Sequence, residues 1–247
     1  PEVYFWLSLF EDEAQKLRRV PGNGSLTMEQ YQLRGEFANA CLADYSAGDV
    51  RDARARMSAF FKANSIAMTS AMNAGQDEWV HECKAQDANL KRFIVETIPH
   101  EHGVPLGAWQ IEAPLYSPVY GLSARADAIS YGADGKSATV LELKSGKWNT
   151  FQGNRPLIPH AVQPIFYGDL LYFSLGIPRD VVNQLLCYST TISADRWNSQ
   201  MNGKLFTRGE LERVMPGGTI GRAMRSFARV RNGIVATGAL IRSGGFR

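Results

Sequence analysis

The spacing of hydrophobic residues divides the chain into a helical first part and a mixed second part. Over the first hundred residues, apolar positions recur three or four apart, as at Leu33 and Phe37, which is typical of amphipathic helices. This pattern predicts one helix near the capping-box sequence Thr27–Gln30, a second over about 50–73, and a third over about 77–97 that ends before Pro99. The residues expected to face the core are Met57, Phe60, Phe61, Ile66 and Met68 in the second helix, and Val80, Cys83, Leu90, Phe93 and Ile94 in the third.

After residue 104 the hydrophobic pattern changes to the two-residue period of strands. Strands are predicted over 109–116, 122–131 and 138–143, with a turn at Gly132–Gly135 that joins the last two as a hairpin. An apolar helix over 161–175 and a strand within 182–192 follow, and basic helical segments come after them. The predicted fold is α/β, with a helical N-terminal region (1–104) packed on the core, a core with basic C-terminal helices (105–242) and a frayed tail (243–247).

Composition narrows the class of protein without naming an activity. With 45% hydrophobic and 21% charged residues, the chain is typical of folded globular proteins rather than disordered ones. The net charge is only +3, but residues 204–247 hold nine Lys or Arg against two acids. That segment fits a phosphate-binding surface, and it equally fits a solvated helix face.

Cysteines and apolar runs limit the location and the cofactors. The chain has three cysteines, Cys41, Cys83 and Cys187, far apart and without a Cys-x-x-Cys pair. This argues against a disulfide framework and against a four-cysteine iron–sulfur cluster, so no such cluster is expected. No run of about 18 apolar residues and no basic, signal-like start is present, so the prediction is an intracellular protein without a membrane-spanning helix.

The candidate chemistry lies on the predicted hairpin. Glu142 and Lys144 are two apart on one strand, so their side chains point to the same face, and Asp127 can reach them from the neighbouring strand. Two carboxylates beside an ammonium group suit metal-assisted phosphodiester hydrolysis, because carboxylate oxygens bind hard divalent cations. The same tripeptide also fits an exposed strand with a cross-strand salt bridge.

The motifs around these residues resemble those of the PD-(D/E)XK nuclease superfamily, in its RecB-like branch. That branch carries Gly-x-x-x-(Lys/Arg)-x-Asp, (Asp/Glu)-x-Lys and Gln-x-x-x-Tyr motifs. The matching residues are Gly121, Arg125, Asp127, Glu142, Lys144, Gln163 and Tyr167. The pattern is most similar to the nuclease domains of the helicase–nucleases of eukaryotic replication, over about 109–233. The resemblance implies a restriction-endonuclease-like core, in which helices flank a central mixed sheet.

The resemblance also implies a role for each matching residue. Asp127 and Glu142 would bind Mg²⁺ or Mn²⁺, the backbone carbonyl of Leu143 would complete the metal shell, and Lys144 would be the catalytic lysine. His81 lies on an upstream helix, where relatives carry an extra metal ligand, and is a further candidate ligand; a surface or partly buried histidine is the alternative.

Other positions are expected to support the site or to bind DNA. The supporting residues are Gln163, Tyr167 and Arg125. Because Pro164 is tolerated only in a first helical turn, this helix is expected to begin near His160 or slightly later. The candidate DNA-binding residues are Lys147, Trp148, His160, Arg225 and Arg229.

The function implied is that of a metal-dependent DNA nuclease acting on single strands, ends or flaps in replication, recombination or repair. DNA, mainly single-stranded, is the expected partner, with a helicase domain or subunit of a larger parent protein as a companion, and no membrane. Two alternatives remain open: a non-catalytic DNA-binding or scaffolding module of the same fold, and a restriction-type endonuclease that cuts duplex DNA.

Overall fold

The computed structural model describes residues 28–67, 76–117, 119, 122–149, 155–192, 203–215 and 219–243. The predicted cap at Thr27, the core position Met68 and the motif residue Gly121 lie outside these ranges. Within them, no helix has both the length and the apolar character needed to cross a bilayer.

The described chain begins with helices and continues with a mixture of strands and helices. Its helices include α1 (Met28–Ser46), α2 (Ala53–Ala63), α3 (Gln76–Lys91), α4 (Ile98–His102), α5 (Ile158–Leu175), α6 (Arg208–Val214) and α7 (Thr219–Arg242). Its strands are β1 (Trp109–Ser117), β2 (Leu122–Tyr131), β3 (Ala138–Asn149), β4 (Val182–Ile192) and β5 (Lys204–Thr207).

The five strands form one mixed sheet in the order β1-β2-β3-β4-β5. Strand β2 is antiparallel to both of its neighbours, β1 and β3, whereas β3 and β4 are parallel and β5 is antiparallel to β4. Parallel neighbours need a crossover connection, and α5 provides it between β3 and β4. The predicted α/β class with a mixed sheet flanked by helices is therefore confirmed.

The two faces of the sheet are covered by different parts of the chain. Helices α1 and α3 pack on one face, where Phe37 and Ile94 share a buried cluster with Leu141. Helix α5 packs on the other face, where Leu170 joins Val140. The N-terminal helices therefore cover one face of the sheet and share its hydrophobic core.

A glycine of α5 leaves room for a buried side chain of the sheet. A Cβ atom at Gly168 would overlap Nε2 of Gln184 on β4. Gly168 therefore allows the buried Gln184 side chain to pack between α5 and the sheet.

Two helix predictions were wrong in detail. Helix α2 begins at Ala53 rather than near Val50, and Ile66, predicted to face the core, is 88% exposed. The third helix does not end before Pro99: a π-helical segment, Arg92–Thr97, connects α3 to α4, and the helical run ends at Gly103, whose φ is 66°. Pro99 lies where the hydrogen-bond register changes from π-helical to α-helical, and the helical run continues through it because of this change.

The elements around the candidate site differ from prediction mainly in length. Strand β3 extends to Asn149 instead of ending at Leu143. Helix α5 begins at Ile158, before His160, and contains Pro164 beyond its first turn. The proline costs the helix one hydrogen bond, to the His160 carbonyl. Its buried ring offsets part of this cost by adding to the apolar face of the helix.

Candidate active site

Glu142 and Lys144 project from β3 toward α5, as their two-residue spacing requires. Nζ of Lys144 forms an ion pair with Oε1 of Glu142, and Oε2 of Glu142 accepts a hydrogen bond of 2.8 Å from the hydroxyl of Tyr167 on α5. Glu142 is 4% exposed, whereas the Lys144 side chain is 22% exposed. The carboxylate is thus held from two sides, and the ammonium group remains accessible from solvent.

Next to Glu142, the Asp127 carboxylate accepts a β3 hydrogen bond in place of a backbone carbonyl of β2. The ladder between β2 and β3 ends at the pair Ala128–Leu141. One residue further, Oδ2 of Asp127 accepts the N–H of Leu143 at 2.5 Å. This bond fixes the Asp127 carboxylate against the strand that carries Glu142 and Lys144, so the predicted convergence of the three residues is observed.

The charges at this point do not balance. Burial raises the pKa of Asp127 to about 7, and the negative charge of Glu142 adds to the effect. The Leu143 N–H and the Lys144 ammonium act in the opposite direction, but they only partly offset it. Two carboxylates therefore share one lysine, and a bound cation would relieve their repulsion.

The donor set fits a hard divalent cation. Asp127 and Glu142 provide carboxylate oxygens, the ligands that Mg²⁺ and Mn²⁺ prefer. Leu143, whose carbonyl is the predicted third ligand, contacts Asp127 through its backbone N–H, which does not bind a cation. Among the described residues, no group of three or more His, Cys, Asp or Glu side chains lies close enough to hold a metal ion. His81 is exposed on α3 and does not join the two carboxylates in such a group. Any metal held here would rely on two carboxylates, backbone carbonyl groups and solvent.

Strand β1, which lies opposite Asp127, switches at the same point the face of the sheet toward which its side chains point. Glu112, which lies across from Asp127 on β1, has a φ of 53°, the left-handed region that a glutamate rarely adopts. Before it, Trp109 belongs to the cluster under the N-terminal helices, and after it Ala113 belongs to the cluster under α5. Strand β2 makes the same switch at Asp127, so the Asp127 carboxylate lies where both strands pass from one face of the sheet to the other.

Helix α5 carries the predicted His160, Gln163 and Tyr167 on one side, as their spacing requires. Tyr167 contacts Glu142, as described above, and its hydroxyl lies 3.2 Å from the Arg125 carbonyl. Burial and the charge of Glu142 raise the pKa of Tyr167, so its hydroxyl stays protonated and donates. Gln163 is half-buried one turn earlier.

His160 is connected to the site by Tyr188, a residue that the sequence did not single out. Its Nδ1 lies 2.8 Å from the hydroxyl of Tyr188, and Tyr188 is the β4 neighbour of Lys144 in the parallel register. Burial and the nearby Lys144 charge lower the pKa of His160, which favours the neutral imidazole. The alternation of β4 places Tyr188 on the same face as Leu186, but no motif signals it.

The remaining candidates lie at the edge of this site or away from it. The Arg125 side chain is 70% exposed and pairs with Glu112 at 2.6 Å. Arg225 and Arg229 are exposed on α7. Lys147 and Trp148 belong to β3, but their side chains lie outside the described atoms.

The three cysteines lie in the hydrophobic core. Cys41, Cys83 and Cys187 are all buried, and this burial raises the pKa of each thiol. Cys187 sits inside the apolar strand β4 as a small core residue, as predicted.

Comparison with known proteins adds no relative: the chain matches no protein-family model, no curated protein and no solved structure.

Proposed function

We propose that this protein is a metal-dependent nuclease that hydrolyses phosphodiester bonds in DNA. One observation carries the proposal: Asp127, Glu142 and Lys144 converge where β2 and β3 part, and burial with the Glu142 charge raises the pKa of Asp127 to about 7. A surface salt bridge would place one carboxylate against one ammonium in solvent. Here a second, partly buried carboxylate is held beside the pair by a backbone N–H.

Each residue has a defined task in this proposal. Asp127 and Glu142 would hold Mg²⁺ or Mn²⁺, which supplies Lewis acidity toward the phosphate and lowers the pKa of a coordinated water. Lys144 presents a positive charge where negative charge grows on the phosphoryl oxygens. Tyr167 holds Glu142 in place through the 2.8 Å hydrogen bond, and the pairing of Glu142 with Lys144 orients the ammonium group.

The motif resemblance and the charge distribution support DNA as the substrate. The RecB-like motifs over 109–233 belong to nucleases that act on single strands, ends or flaps. Arg222, Arg225 and Arg229 recur at helical spacing on α7 and are exposed, so they lie on one face of that helix. An arginine-rich face binds phosphates without reading the sequence, which fits a nuclease that follows a DNA backbone.

A non-catalytic DNA-binding module of the same fold is the second candidate. The exposed arginines of α7 alone would support it. The complete set of two carboxylates and a lysine favours the enzyme, because binding DNA phosphates does not require acidic side chains, which repel them.

The deciding experiment is cleavage of end-labelled single-stranded and blunt duplex DNA without ATP, in Mg²⁺, Mn²⁺ or EDTA. We expect cleavage of the single strand in either metal, none in EDTA and none by the Glu142→Gln variant. Binding without cleavage by the wild type in both metals would support the non-catalytic module. Duplex cut as fast as single strands would support the restriction-type alternative.

A further inference from the structure

Strand β3 carries one extra residue between Lys144 and Lys147. In the parallel register, Lys144 lies beside Tyr188, whereas Lys147 lies beside Thr190, so three steps along β3 match two along β4. This is a β-bulge, which bends a strand and re-aims the side chains next to it. The direction of Lys144 therefore depends on how the bulge at Ser145 is held.

The bulge is held by side chains of the N-terminal helical layer. Nε2 of Gln86, on α3, lies 3.3 Å from the Ser145 carbonyl and 3.1 Å from Oγ of Ser189 on β4. Oγ of Ser189 in turn lies 3.4 Å from the Lys144 carbonyl. One turn along α3, Nδ2 of Asn89 donates 2.8 Å to the Ser189 carbonyl.

The side chains that hold the bulge are shielded from water. Gln86 and Ser189 are fully buried, and Asn89 is 6% exposed. The Ser189 carbonyl would be left without a partner if it lost its buried donor, and the half-buried Ser145 carbonyl would lose the donor that fixes its direction. Helix α1 closes the same space, since a Cβ at Gly35 would lie 3.5 Å from Oγ of Ser145. The bulge therefore has one preferred geometry, which α3 imposes.

We propose that Gln86, assisted by Asn89, is a positioning residue of the active site: it fixes the bulge at Ser145 and so aims Lys144 at Glu142. This inference rests on the proposed nuclease function for its kinetic part only. Gln86 touches neither Glu142 nor the Lys144 side chain in the described contacts, so it acts through the backbone of β3.

The kinetic test compares Gln86→Leu with Gln184→Leu, using single-stranded DNA and Mn²⁺. Gln184 is a matched control because it is 2% exposed and lies under α5, against Gly168 and away from the bulge. We expect Gln86→Leu to lower kcat by about tenfold or more with KM nearly unchanged, since small misplacements of a catalytic group have effects of that order. Gln184→Leu should keep the wild-type kcat when compared at a temperature where both variants are folded.

A second readout does not need activity. An amine-reactive reagent followed by mass spectrometry measures how fast Nζ of Lys144 is modified in each folded variant. Gln86→Leu should expose Lys144 and speed its modification, whereas Gln184→Leu should not. If Gln86→Leu does not fold, Ser189→Ala removes only the hydroxyl of the relay and should change the labelling in the same direction.

The outcomes separate the two claims. Wild-type protein that never cleaves DNA, yet shows faster Lys144 labelling in Gln86→Leu, would overturn the nuclease function and retain the positioning role. Active wild-type protein with unchanged kcat and labelling in Gln86→Leu would overturn the positioning role alone. Equal effects of Gln86→Leu and Gln184→Leu would also overturn it, because any core glutamine would then matter.

Discussion

Buried charges occur on both faces of the sheet, but they are arranged differently. Under the N-terminal helices, Arg34 pairs with Glu82 at 2.9 Å, and both side chains are 1% exposed. Arg56, 2% exposed, pairs with Asp87 at 2.6 Å. On the α5 face, two carboxylates share Lys144.

The comparison distinguishes a structural role from a chemical one. Arg56 also donates to Asp44 at 2.8 Å and to the Tyr45 hydroxyl at 2.9 Å, so its charge is fully engaged in linking α1, α2 and α3. Such a network gains nothing from a further ion. At the site, burial and the Glu142 charge raise the pKa of Asp127 to about 7, so ionising both carboxylates in the folded state costs stability, which is characteristic of functional sites. The two sides of this contrast can be changed separately by substitution.

The largest expected effect comes from breaking the balanced side. Arg56→Met should lower the free energy of unfolding by about 3–5 kcal/mol, because Asp87 would remain buried without its cation. Urea denaturation measures this. The control is Arg51→Met, whose side chain is 52% exposed and pairs with Asp44 and Asp49, and which should lose less than about 1 kcal/mol. Equal losses would contradict the contrast.

The next effect concerns activity on the unbalanced side. Glu142→Gln should reduce the cleavage rate by about 100-fold or more, the usual loss for a key electrostatic group, while the metal-free melting temperature stays the same or rises. Glu212→Gln is the matched control, since Glu212 forms an exposed ion pair with Arg208 on α6 and should leave the rate unchanged. A rate above about a tenth of wild type in Glu142→Gln would remove it from the site.

Asp127 should give the metal-free protein an unusual pH dependence. Its pKa is raised from 3.8 to about 7, so the folded state keeps a proton that the unfolded chain releases. Stability is therefore lost as pH rises between these values, by up to about 1.4 kcal/mol per pH unit. Asp127→Asn should melt higher than wild type at pH 8, and the difference should shrink toward pH 5.

Metal addition sharpens the same experiment. At pH 8, Mn²⁺ should raise the melting temperature of the wild type and leave that of Asp127→Asn unchanged, because binding to the folded state alone stabilises it. A melting-temperature difference between the two proteins that does not vary with pH would mean that Asp127 is not the group with the raised pKa. Equal stabilisation of both proteins by Mn²⁺ would mean the same.

The smallest effect tests the backbone at Glu112. In an ordinary strand, valine is more stabilising than glycine. At a φ of 53° the order should reverse, with Glu112→Gly more stable than Glu112→Val by about 1–2 kcal/mol in thermal melts. Tyr116→Gly and Tyr116→Val, at an exposed position of the same strand without a positive φ, should keep the ordinary order.

Sequence reasoning reached the parts of the site that depend on short-range pattern. The β2–β3 hairpin, the shared face of Glu142 and Lys144, and the approach of Asp127 all follow from a two-residue period and a Gly-rich turn. Tyr167 was implied by the resemblance to the RecB-like motifs, and the helical spacing added only that it shares a face with His160 and Gln163. These signals lie within about forty residues of one another in the chain, so few alternative arrangements compete with them.

The parts that escaped prediction depend on distant partners. Gln86 and Asn89 have no motif, and their role exists only because Ser189 lies beside them, 103 and 100 positions later. The helical run continued through Pro99 because a π-helical segment shifted the hydrogen-bond register, which propensity does not reveal. Ile66 has the spacing of a core residue, yet it is 88% exposed, because spacing alone does not say where packing ends.

The parallel pairing of β3 with β4 has a consequence for synthesis on the ribosome. Once translation has reached residue 150, the nascent chain already contains Asp127, Glu142 and Lys144, but β4, which borders β3 and supplies Ser189 to the bulge, is made about forty residues later. Contacts across such separations form late and slowly, because the intervening chain must first be closed into a loop. The complete site is thus delayed until β4 has been translated, so a product truncated within the α5 crossover would carry every acidic motif residue without the strand that borders β3.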